Sequence, residues 1–142
     1  FVKRSEAAAT RVRNMLRNDT ACYTARAEAV RHAEVYRGSF AISVCPSENV
    51  ESPTIVGAQA ANELLNIIGI KASFVLTEYN DKIYISSRSI DEINVQIIME
   101  KLGGGGHLNV AGAQLTGVTI VQAKRMIQDT LDEMLKEGDI EE

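Results

Sequence analysis

Residues 103–107 read Gly-Gly-Gly-Gly-His, and no other stretch of the chain limits its fold as tightly. A glycine run does not extend a helix, and each glycine that becomes ordered loses more backbone entropy than any other residue. One glycine suffices to cap a helix, so four imply more than a cap and linker. Glycine allows backbone conformations in which several N–H groups converge, and such a nest holds an anion. His107 adds an imidazole donor to the end of the run. Upstream, a strand closes in Ser86-Ser87-Arg88-Ser89, which offers hydroxyl donors and a guanidinium suited to bidentate phosphate contact. The run is not a Walker loop, because no Lys-Ser/Thr follows Gly106. It is not a dinucleotide fingerprint either, because Leu108 stands at the third glycine position. These residues imply a site for a phosphate-bearing ligand.

Bulk properties narrow the partners. The 142 residues, 45% of them hydrophobic, suffice for one core. A net charge of −4 argues against a broad grip on duplex DNA, so any nucleic-acid contact is expected to be local. No apolar run is long enough to span a bilayer, so no membrane contact is expected of this stretch. Phe1-Val2-Lys3-Arg4 lacks a signal-peptide core, and a start without Met suggests a piece of something longer. Cys22 and Cys45 read as two reduced, buried thiols. His32, amid Arg31 and Glu34, reads as a solvated helix residue. With two histidines and no local zinc or calcium motif, no metal site is expected here.

Residues 1–37 have helical character. Ala7, Ala8, Val12, Met15 and Leu16 recur at helical spacing, and Thr20 can cap a second helix rich in Arg, Glu and Ala. That helix has few bulky apolar residues and is expected to pack on a partner or a neighbouring domain. From Gly38 the pattern alternates between strands and helices. Phe40–Val44 reads as a strand; Ser52-Pro53 opens a helix through Ile55, Leu64 and Ile68 that Gly69 ends. Strands 72–79 and 82–88 flank Asn80-Asp81 as a hairpin, with Phe74, Leu76, Ile83 and Ile85 on a core face. Thr77, Tyr84 and Ser86 share the other face, with Arg88 beside Ser73. Tyr84 could stack on a base there, but packing under a helix is the simpler expectation. A helix from Asp91 or Asn94 stops at the glycines, 110–115 is a strand, and Thr119-x-x-Gln122 is a capping box that opens the last helix. The acidic tail from Gly138 is expected to fray. The fold class is α/β: a mixed sheet of about four to five strands flanked by helices, with an N-terminal helical connector.

The ordered series Ser86-Ser87-Arg88-Ser89, Asn94-Val95, Gly103–His107 and Ala111-Gly112 resembles the C-terminal substrate-binding domain of Asp-His-His (DHH) phosphoesterases, the DHH-associated domain of the first type. The resemblance spans residues 38–135, and it divides the chain into a connector, 1–37, and a substrate-binding domain, 38–142. Leu108, where many short-oligonucleotide members carry Pro, and Ile93-Asn94-Val95-Gln96 lean toward the cyclic-di-AMP phosphodiesterases of Gram-positive bacteria.

The resemblance implies a hydrolase parent, anchored in the cell membrane with this part on the cytoplasmic side, and a degenerate diguanylate-cyclase-like domain before its phosphoesterase module. It implies an upstream DHH lobe with two manganese ions, and a cyclic dinucleotide or short oligonucleotide as substrate. Partners are then that substrate, the DHH lobe and, as a further expectation, a second copy in a homodimer. Carried over by match, Arg88 and His107 contact phosphate, Gly103, Gly104, Gly105 and Gly106 permit close approach, and Ser86, Ser87 and Ser89 orient the ligand. No catalytic residue and no cofactor is expected within this chain, which is expected to be inactive alone. The alternatives are an oligoribonuclease or phosphoadenosine-phosphate phosphatase built on the same lobe, and a non-catalytic RNA-binding module like the related domain of alanyl-tRNA synthetases. The lack of a basic face argues against the last.

Overall fold

The computed structural model describes residues 20–141. Helix α1 covers 20–31, followed by β1 (Glu34–Tyr36), β2 (Phe40–Cys45), α2 (Pro53–Leu64), β3 (Ala72–Tyr79) and β4 (Lys82–Ser89). Helix α3 (Val95–Lys101), β5 (Gly105–Gly106), β6 (Val110–Leu115) and α4 (Ile120–Glu137) complete the chain. The six strands form one sheet in the order β1-β2-β3-β4-β6-β5. Only β2 and β3 run parallel, joined through α2; the other neighbours are antiparallel. The fold class is the expected one, with six strands where about four to five were expected. The expected helix around Ala7–Leu16 lies outside the described residues.

Alternation along the central strands builds two cores. Phe40, Ile42, Phe74, Leu76, Ile83 and Ile85 point to one face and pack beneath α3 and α4. The rings of Phe40 and Phe74 sit 6.5 Å apart and tilted; truncating either to Ala would cost about 3–5 kcal/mol. Ala41, Cys45 and Val75 point to the other face, beneath Ala25 and Ala29 of α1 and Val56, Ala60, Ala61 and Leu64 of α2. Small residues at this second interface let the helices approach closely. The Ser73 hydroxyl donates to Ala61 O at 2.7 Å, and the Ser43 hydroxyl donates to Ala29 O. Arg26 on α1 adds an ion pair to Glu63 on α2 at 3.0 Å. The described part of the N-terminal segment is therefore packed on the sheet of this same body, because alanines substitute for bulk where a helix lies close.

Several expected boundaries shift. The α2 helix ends at Leu64, and the chain turns through Asn66–Gly69, leaving Ile68 fully exposed and Ile55 more than half exposed. Ser52 makes no side-chain cap there. Asn94 does cap α3, accepting from Ile97 N at 3.3 Å, and Thr119 and Gln122 form the reciprocal capping box on α4. Past Gly138, in the left-handed conformation, the tail does not fray at once: Asp139 N donates to Met134 O at 2.9 Å and Ile140 is buried in the core.

Candidate functional site

The second face of the sheet is only half covered. Helix α2 lies so close over β3 that a Cβ on Gly57 would stand 2.5 Å from the Thr77 hydroxyl, and 3.9 Å from that of Ser86 on β4. Past β4 the same face carries Val110, Gly112 and Gln114 of β6, by their register with Arg88, Ser86 and Tyr84. Gly105 of β5 continues it opposite Gly112. A groove of about 530 Å³ opens on this part of the face. Tyr84 and Ser86 line it from β4, Gly112 and Gln114 from β6, Gly103 and Gly104 from the end of α3, and Thr54 from the first turn of α2.

Strand alternation divides residues 86–89. Ser86 and Arg88 stand on the open face, half-buried; Ser87 and Ser89 point into the opposite core. The Ser87 hydroxyl is buried without a hydrogen-bond partner. That of Ser89 donates to Ile93 O at 2.7 Å and lies 2.9 Å from Asn109 Oδ1, while Ser89 N donates to Asn109 O at 3.1 Å. Ser89 thereby ties the end of β4 to the β5–β6 turn. Ligand-orienting hydroxyls expected from all three serines come to the open face from Ser86 alone.

The glycines act chiefly through missing side chains. Gly103 N donates to Glu100 O, Gly104 N to Met99 O and His107 N to Val110 O, so these amides close α3 and the β5–β6 hairpin. These three donors are thus taken by helix capping and strand pairing and are not free for an anion. A Cβ on Gly104 would stand 2.0 Å from Gly112 O, and one on Gly106 would stand 2.5 Å from Val110 O. At Gly105 a Cβ would meet nothing within 4 Å, consistent with its place on the open face. The result is a bare backbone floor.

Arg88 and His107 flank β6 at its start. Arg88 is opposite Val110, and Val110 O accepts from His107 N at 2.7 Å. Two strand spacings separate their Cα atoms by about 10 Å, and alternation along β4 puts Arg88 on the open face. His107 is exposed. Arg88 Nη1 donates to Ser87 O at 2.8 Å, and burial pulls its guanidinium pKa down from the usual value. Among the described residues no carboxylate pairs with it. A partly desolvated cation without a counter-charge is unfavourable unless an anion arrives from outside.

Sequence reasoning did not include Tyr84, Gln114 or Thr54 in the site. Tyr84 is half-buried and lines the groove together with Thr54 from the first turn of α2. The parity that links Gln114 to Gly112 and Tyr84 to Ser86 was a usable signal once the strands were paired. No group of three or more His, Cys, Asp or Glu side chains that could hold a metal ion occurs among the described residues. These residues do not fit a two-metal centre.

Comparison with known proteins agrees with this geometry. The family model described as the DHHA1 domain matches residues 37–137. The chain is 43% identical over 122 residues to the cyclic-di-AMP phosphodiesterase PdeA of Listeria monocytogenes, covering 85% of this chain and 18% of that protein. It is 36% identical over 129 residues to the cyclic-di-AMP phosphodiesterase GdpP of Bacillus subtilis, covering 89% of this chain and 20% of that one. The chain therefore spans about a fifth of the length of these curated relatives. An exopolyphosphatase-related protein from Bacteroides fragilis superimposes with a TM-score of 0.70 at 21% identity, over 81% of this chain and 35% of that one, which shows the fold. With the family model spanning β2 to α4, the chain belongs to the DHHA1 domain family.

Proposed function

We propose that this chain is the substrate-recognition lobe of a phosphodiesterase acting on cyclic-di-AMP, with hydrolysis carried out in a separate DHH lobe. The observation that carries the reading is Arg88: a half-buried guanidinium on an open face, with no carboxylate partner among the described residues. A substrate phosphate completes it. Arg88 supplies charge and planar donors, Ser86 a hydroxyl, and His107 an imidazole from across β6. The bare floor lets the phosphodiester lie close to the backbone. Ser89 is a positioning residue, holding the turn beside His107 against the strand that bears Arg88.

In this reading the chain orients substrate and offsets phosphate charge, contributing electrostatically and by proximity. The two manganese ions expected for the parent belong to the other lobe, and no step here runs through them. We place the membrane anchor of the parent outside this region too; no helix among the described residues is long and apolar enough to cross a membrane.

The test is steady-state hydrolysis of cyclic-di-AMP by the intact phosphodiesterase carrying Arg88→Ala or His107→Ala. Arg88→Ala should lower kcat/KM by about tenfold or more, from the loss of charge-assisted hydrogen bonds. His107→Ala should lower it less, with circular dichroism unchanged in both. Wild-type turnover in both variants contradicts the reading.

A further inference from the structure

The phosphate at Arg88 occupies one end of the open face and leaves Tyr84 and Gln114, farther along it, without a role. Tyr84 and Gln114 are direct cross-strand partners on β4 and β6, and both line that groove next to Gly103, Gly104 and Gly112. Four residues of β4 separate Tyr84 from Arg88, about 13 Å of strand. A nucleoside whose phosphate is held by the extended Arg88 side chain bridges that span. Glycine makes the floor flat, and a Cβ at Gly104 or Gly112 would collide with backbone oxygen at 2.0 or 2.8 Å. A planar, partly polar ligand suits such a surface. Tyr84 brings an aromatic ring, on which any base can stack. Gln114 brings a carboxamide with a donor and an acceptor side by side, the pattern that meets N6 and N7 of adenine. Guanine presents two acceptors at the corresponding edge and matches only half of it.

We infer that Tyr84 and Gln114 form a nucleobase subsite over the Gly103-Gly104-Gly112 floor, in which Gln114 selects adenine over guanine. The inference rests on the phosphate reading for orientation along β4. It adds base discrimination, which Arg88 and His107 do not supply.

The experiment is titration of the whole 142-residue chain with AMP, GMP and ribose 5-phosphate, followed by amide NMR shifts and calorimetry. AMP should bind more tightly than GMP by about tenfold, as one bidentate base contact gives. AMP should shift the Gln114 side-chain amide and the Gly103, Gly104 and Gly112 amides. Gln114→Ala should abolish the preference while keeping ribose 5-phosphate affinity; Tyr84→Ala should weaken AMP and GMP alike. Gln114→Glu tests the sense of the contact: it should weaken AMP, because a carboxylate keeps the acceptor for N6 and loses the donor to N7, and should leave GMP the poorer ligand, since guanine offers only acceptors at that edge. An unchanged AMP-to-GMP ratio in Gln114→Ala overturns the inference. If ribose 5-phosphate affinity is then still lost in Arg88→Ala, the phosphate reading stands; if Arg88→Ala changes nothing, that reading fails separately.

Discussion

Neighbouring residues of one motif do different work here. Gly104 and Gly105 are adjacent and chemically identical, yet a methyl group on the first would overlap the Gly112 carbonyl, whereas on the second it would enter open space. Backbone cannot yield as a flexible side chain does, so Gly104→Ala is an overpacking mutation costing about 1–3 kcal/mol or more. Thermal unfolding should show Gly104→Ala lowering Tm by at least about 4 °C, and Gly105→Ala shifting it by no more than about 2 °C. Equal shifts would mean that the glycine run is not read correctly residue by residue. Cys45 makes a similar point about chemistry. Burial first, and the nearby Cys22 second, push its thiol up to about 11, so it stays protonated and inert at neutral pH.

At the scale of elements, a small polar cluster fixes the sheet edge. Asp132 on α4 accepts from the Tyr36 hydroxyl at 2.6 Å and from Arg37 Nε at 2.6 Å, and Lys124 meets Glu34 at 3.2 Å. The Tyr36 hydrogen bond, chiefly, and Arg37 hold the Asp132 carboxyl below its ordinary 3.8, against a smaller upward push from burial. A carboxyl whose pKa is depressed by folding contributes fully above its unfolded value, and the contribution is lost as pH falls through the folded one. Amide exchange at Glu34–Tyr36, relative to β3, should therefore be steady from about pH 8 to 5 and accelerate below about pH 4. Asp132→Asn should raise it at neutral pH and flatten the acid response; an unaltered profile would remove the latch. None of this cluster was legible beforehand, since β1 has three residues and shows no usable period. Its turn was signalled by Arg37-Gly38, both at positive φ, but a hairpin needs two recognised strands. β5 escaped for the opposite reason: two glycines carry no strand propensity, and only pairing with Ala111 and Gly112 makes them one. The β3–β4 register was legible in full, because Asn80 and Asp81 both tolerate the positive φ they adopt and alternation fixed the rest. The α2 boundary was not, because Ile68 fits the apolar spacing of a longer helix and is solvent-facing in a turn.

For the whole molecule, the sheet is covered on one face by α3 and α4, and on the other by α1 and α2 over its first strands. The uncovered half is where the polar and bare residues of β4, β5 and β6 gather, and the sequence named Arg88, His107 and the glycines there. It did not separate the core-facing serines from Ser86, nor did it include Gln114, since both depend on how strands pair across a gap of many residues. Arg88 is a cation held ready for an external anion. Calorimetric titration of the chain and its Arg88→Ala variant with AMP, alongside thermal unfolding of both without ligand, tests that most directly. The expected result is affinity lower by about tenfold or more in the variant, with Tm unchanged or higher because an unpaired, partly desolvated charge is gone. Equal AMP affinity in the two proteins, or a variant that loses stability and keeps binding, would contradict it.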